Sequence, residues 1–146
     1  MKKLSSGISG IAGEYFVAAE LFRRGFMASV TLRNNNSIDI HASKLSDNSF
    51  FAIQVKTQQN TNRSWQLNQK AESLSDSNLF YVFVSLKSLT ERPEYFIIPS
   101  RIVSERIKGS HLKWLATLGK KGQKHNDNNM RKFEDKTGEF LERGIY

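Results

Sequence analysis

Ser37-Ile38-Asp39-Ile40-His41-Ala42-Ser43-Lys44-Leu45, the polar tetrapeptide Ser46-Asp47-Asn48-Ser49, and Phe50-Phe51-Ala52-Ile53-Gln54-Val55-Lys56 read as two strands and the turn between them. Ser, Asp and Asn favour turns because their short side chains bond nearby backbone groups. Side chains alternate across a strand. Phe51, Ile53 and Val55 therefore share one face, and Gln54 and Lys56 share the other. Asp39 lies between Ile38 and Ile40 and points away from them. The hairpin can bring Asp39, Gln54 and Lys56 together. Unpaired charges are costly to bury, so this polar trio marks either a solvated face or a working site.

Working outward, residues 26–32 supply a third strand before the polar run 33–36, and the three strands form a meander. Upstream, residues 14–24 read as a helix, with Tyr15, Ala18, Ala19 and Phe22 at helical spacing. Arg23 and Arg24 suit its last turn and Gly25 its end. Ser9 is the candidate N-cap if the helix begins earlier. Glu14 flanks the apolar stripe, where it either favours the helix dipole or points along the sheet toward the trio.

Downstream, 57–63 reads as a polar loop and 65–74 as a weak helix. Residues 79–86 are almost wholly apolar, the mark of a strand buried on both faces. Residues 95–98 form another strand, stopped by Pro99. Helices are expected over 101–108 and 111–118, a loop over 119–129, and a last helix over 132–143 ended by Gly144. The order is helix, three-stranded meander, helix, two strands, helices. That defines an α/β fold with a mixed sheet flanked by helices.

At 146 residues the expectation is one domain over 1–146, with a basic C-terminal extension at about 101–146. The absence of cysteine excludes disulfides, cysteine–zinc sites and thiolate nucleophiles. No apolar core follows the N-terminal lysines and no apolar run reaches spanning length, so the expectation is a cytoplasmic protein without a membrane partner. The net charge is +8. Residues 101–136 hold ten Lys or Arg against four Asp or Glu, net +6. Such a field attracts polyanions.

His41 shares the face of Asp39 and reads as a packed, hydrogen-bonded residue more than a ligand. His111 and His125 lack metal-ligand spacing. Trp65 and Trp114 read as core anchors.

Gly13-Glu14-Tyr15, Ser37-Ile38-Asp39-Ile40 and Ala52-Ile53-Gln54-Val55-Lys56-Thr57, in this element order, resemble the PD-(D/E)XK nuclease superfamily. Within it the likeness is to Holliday-junction-resolvase-like and Mrr-like members. The resemblance spans about residues 13–99 and implies a restriction-endonuclease-like fold. It implies Asp39 as the metal-binding aspartate, Lys56 as the catalytic lysine and Glu14 as the helix glutamate that binds metal directly or through water. Gln54 stands where most members carry Glu or Asp, as it does in Mrr-like nucleases, and the proline of the family's name is absent.

The implied activity is phosphodiester hydrolysis on DNA with Mg²⁺, or Mn²⁺ as substitute. The Gln54 amide oxygen and the Val55 backbone carbonyl join Asp39 as ligands. Arg63, Lys70, Arg101, Lys120, Lys121 and Lys124 are the candidate nucleic-acid contacts. A homodimer would let so small a domain cut two strands. Two other readings stay open: a nuclease-fold protein that binds nucleic acid or a protein without cutting, and an unrelated basic RNA-binding module.

Overall fold

The computed structural model describes residues 3–31 and 38–142. The polar run 33–36, the expected strand residues 32 and 37, and Gly144 lie outside the described residues. The first helix, α1 (Ser6–Arg23), begins one turn earlier than Ser9 would set it, because the Ser5 hydroxyl caps it by accepting the Ile8 N–H at 3.3 Å. Gly25, at φ +85°, turns the chain out of the helix. The meander follows as β1 (Phe26–Val30), β2 (Ile40–Lys44) and β3 (Phe50–Gln58), paired antiparallel in that order. Thr57 and Gln58, expected in a loop, complete β3.

Residues 65–74 form no α-helix. They are β4 (Ser64–Asn68) and a 3₁₀ turn, η1 (Gln69–Ser73). Trp65 and Leu67 are buried while Gln66 and Asn68 are exposed, a period of two rather than 3.6. The expected last helix is corrected for the same reason. Arg131 and Phe133 are buried, Lys132 and Glu134 exposed, and β7 (Met130–Glu134) pairs antiparallel with β4. Between these lie β5 (Leu79–Ser85), β6 (Glu94–Pro99) and α2 (Ser100–Ala116). α2 is one helix where two were expected; a Cβ at Gly109 would meet nothing within 4 Å, so this glycine sits on an open side and does not break the helix.

The main sheet runs β1-β2-β3-β5-β6. Among the described residues, only β3 and β5 pair in parallel. A parallel pair needs a crossover, and the chain makes it through β4 and η1. β5 is interior, as its apolar run requires, and six of its seven residues are buried. This is the mixed, helix-flanked sheet that the resemblance implies.

α1 covers one face of the sheet, where Val17 and Ala18 meet Ile40, Ile53, Val55 and Val84. On the other face α2 and the β4–β7 ribbon bury Trp65, Tyr81, Phe83, Phe96, Ile107 and Phe133 together. Phe83 stacks on Phe133 at 4.8 Å. The Trp65 indole donates to the Val84 carbonyl at 3.0 Å, which satisfies its one polar atom. Each such ring contributes about 1.5–3 kcal/mol through burial. Residues 103–133 thus supply part of the main core. Trp114 takes no part in it and is 37% exposed near the end of α2, contrary to its expected role as an anchor.

Candidate active site

The geometry at Asp39 begins with two strands that diverge. The last residue pair of β2 and β3 is Ile40–Ile53, after which the Asp39 N–H donates to the Ile53 carbonyl at 2.9 Å. β3 runs on through Gln58 with β5 as its strand partner. On the side vacated by β2, the Val55 N–H donates to Asp39 Oδ2 at 2.7 Å. A carboxylate thus takes the place of a strand carbonyl, and the bond fixes its position. A residue's N–H and C=O point to the same side of a strand, so the Val55 carbonyl also faces this gap.

Ile40, Ile53 and Val55 belong to the core under α1. Asp39, Gln54 and Lys56 therefore lie on the opposite face, as alternation predicts. Gln54 is 9% exposed, opposite Tyr81 of β5, and half-buried Lys56 is opposite Phe83. The Tyr81 hydroxyl is pushed up to about 12, first by burial and then by the negative charge of Asp39. Tyr81 and Asp39 are thus within electrostatic reach across the face.

Glu14 enters from α1. The preceding residue, Gly13, lies so close to β3 that a Cβ there would come within 1.9 Å of Thr57 Oγ1. The helix turn carrying half-buried Glu14 is therefore seated against Thr57, at the end of β3. His41 shares the strand face of Asp39 but is exposed, not packed as expected. It sits opposite Ser29 and Ala52 on the open part of the sheet.

The candidate contact residues are spread more widely. Arg63 is tied to Glu94 at 3.2 Å and lies over the Phe96 ring at 5.5 Å. Lys70 is exposed on η1 rather than on an α-helix. Exposed Arg101 pairs with Glu105 at 3.3 Å on the first turns of α2. Lys120, Lys121 and Lys124 are exposed on the turn closed by the Gly119 N–H to Gln123 carbonyl bond.

The donors expected from the sequence are all oxygens, the Asp39 and Glu14 carboxylates, the Gln54 amide and the Val55 carbonyl, and of these the Asp39 carboxylate and the Val55 carbonyl border the gap. That chemistry fits a hard divalent cation such as Mg²⁺. Among the described residues, no group of three or more His, Cys, Asp and Glu side chains gathers at one point. The amide and the carbonyl are what would complete the set.

The solved structures that resemble this chain include the following two. A bacterial homing endonuclease, I-Ssp6803I, matches with a TM-score of 0.50 and 14% identity over 68% of this chain and 69% of its own. The Holliday junction resolvase Hjc of Archaeoglobus fulgidus, an archaeal hyperthermophile, matches with a TM-score of 0.48 and 14% identity over 86% of this chain and 84% of its own. The first likeness places the chain among nuclease-like α/β folds. No protein-family model matches the chain. No curated protein gives a significant match. Among the described residues, no helix is long and apolar enough to cross a membrane.

Proposed function

We propose that the protein is a metal-dependent DNA endonuclease that hydrolyses phosphodiester bonds, on branched or modified DNA among its candidate substrates. One observation carries this reading. Asp39 is pinned by the Val55 N–H at 2.7 Å where β2 leaves β3, on the face that also bears Gln54 and Lys56. A divalent ion there would polarise the phosphate and acidify a water. Asp39, the Gln54 amide oxygen and the Val55 carbonyl would hold it, with Glu14 orienting its water shell. Lys56 orients the attacking water and offsets charge that grows on the phosphoryl oxygens. Pairing of two copies would serve both strands of a duplex.

The test combines calorimetric metal titration with single-turnover cleavage of duplex, branched and single-stranded DNA in Mg²⁺ or Mn²⁺. Asp39→Ala should abolish metal binding and cleavage. Lys56→Ala should lose cleavage by about 100-fold or more and keep most of the metal affinity. Cleavage that survives Asp39→Ala in rigorously purified protein would remove the site from the mechanism.

Gln54 favours a second reading. A neutral amide in the usual carboxylate position withholds one charge from the ion. If Gln54→Glu creates cleavage that the natural protein lacks, the chain is a nuclease-fold binder of nucleic acid.

A further inference from the structure

A cleft of about 560 Å³ opens between α2 and β7, lined by none of the residues assigned to the Asp39 site. That volume falls in the range of small-ligand sites. Trp114 stands in it, 37% exposed, with His125 stacked on it at 4.1 Å and 22° and His111 beside it at 5.6 Å and 26°. The His111 Nε2 contacts Asp127 Oδ1 at 2.7 Å, so the ring next to Trp114 is held in place. Trp114 is thus flanked by two histidine rings, each within 26° of its plane, and the part of the indole they leave exposed is a surface on which a further ring can stack.

The charges lining the cleft are Arg106, Arg131 and Lys132 against Glu134 alone. Arg131 is buried and engaged, its Nε on Glu72 at 2.6 Å and its Nη1 on the carbonyls of Asn128 and Met130. Arg106 and Lys132 rest in exposed pairs with Glu139 and Glu134 at 2.7 and 3.2 Å, and such pairs exchange at little cost. Asn128 and Gln66 add amides able to read a hydrogen-bonding edge.

A flat ring to stack, an anion to neutralise and polar edges to read describe a nucleotide. We propose that this cleft binds one unstacked nucleotide, its base on Trp114 and its phosphate on Arg106 and Lys132. The nucleotide is either free or part of a single strand. The site is independent of the nuclease reading and stands or falls separately.

Deoxyadenosine monophosphate, deoxyadenosine, deoxyribose 5-phosphate and a dodecamer of deoxyadenylate serve as probes. Trp65 is only 2% exposed, so saturable quenching of tryptophan fluorescence reports Trp114. Calorimetry on variants supplies the affinities. Trp114→Ala should weaken the monophosphate about tenfold or more, and Trp114→Phe by no more than about threefold. Arg106→Gln with Lys132→Gln should weaken the monophosphate about tenfold and leave deoxyadenosine unchanged. A dodecamer that binds at least tenfold tighter than the monophosphate would assign the site to strands, and equal affinities would assign it to free nucleotides. No saturable quenching up to about 10 mM of either probe would overturn the proposal. So would deoxyribose 5-phosphate binding as well as the full nucleotide, or an affinity indifferent to Trp114→Ala in protein that melts like wild type.

Discussion

Gly13 and Thr57 meet so closely that one atom decides whether α1 can seat. Two effects oppose each other when Gly13 becomes Ala. Helix propensity favours Ala by about 1 kcal/mol. Overpacking against the β-branched Thr57 costs about 1–3 kcal/mol, and a separation of 1.9 Å puts this contact at the costly end. Gly13→Ala should therefore destabilise the protein by about 1–2 kcal/mol and disturb the metal binding proposed for Glu14. Thr57 Oγ1 is buried with no hydrogen-bond partner among the described residues, so adding Thr57→Ala should recover most of the loss. Gly10→Ala is the control: a Cβ there meets nothing within 4 Å, and the change should gain about 0.5–1 kcal/mol. Urea denaturation decides it, and equal gains from Gly10→Ala and Gly13→Ala would refute the close-approach argument.

Among the elements, the segment between α2 and β7 is tied to α2 through His111 and Trp114 and to η1 through the Gln69 N–H bond to the Asn129 carbonyl at 2.9 Å. Asp127 receives its bond from His111, and that bond, helped by the Asn128 N–H, holds the carboxyl below its ordinary value of 3.8. A depressed carboxylate stabilises the fold above its unfolded value and stops doing so as pH falls through the lower folded value. Wild type and Asp127→Asn should therefore differ in melting temperature at about pH 5 and converge toward about pH 2. A constant gap across that range would mean that the carboxylate charge is irrelevant. The elements also show where sequence was legible. The meander, the interior position of β5 and the faces of Asp39, Gln54 and Lys56 all follow from alternation in strands that are long or strongly apolar. β4 and β7 did not, because each is five residues long and its partner lies far along the chain. In so short a span Leu67, Ala71 and Leu74 satisfy helical spacing while Trp65 and Leu67 satisfy strand spacing. Trp114 was misjudged because size argues for burial, while its position on α2 depends on where the helix meets the ribbon. The candidate site was read from a three-part resemblance; the carboxylate pinned by Val55 is a tertiary fact with no trace in spacing.

At the scale of the whole molecule, charge would govern the proposed association with DNA. The net +8 is concentrated in residues 101–136, with exposed Lys120, Lys121 and Lys124 on one turn. DNA binding should weaken steeply with salt, because each phosphate contact releases condensed counterions. Replacing the three lysines with Gln should reduce the slope of log affinity against log salt by up to about 2.7 and weaken all sequences similarly. Fluorescence anisotropy across a salt series measures both, and an unchanged slope would free this turn from any role in binding.

The pairing of β4 with β7 also sets a timetable for synthesis. β4 lies inside the crossover that makes β3 and β5 parallel, yet its partner is not made until residue 134. At ordinary elongation rates, roughly 3 to 13 s separate the emergence of the two strands. Throughout that interval Trp65 and Leu67 lack Phe133 and Arg131 beside them, and the nascent chain carries an uncovered strand edge. The newborn protein is therefore most exposed to misassociation while its candidate catalytic strand, β3, has already left the ribosome.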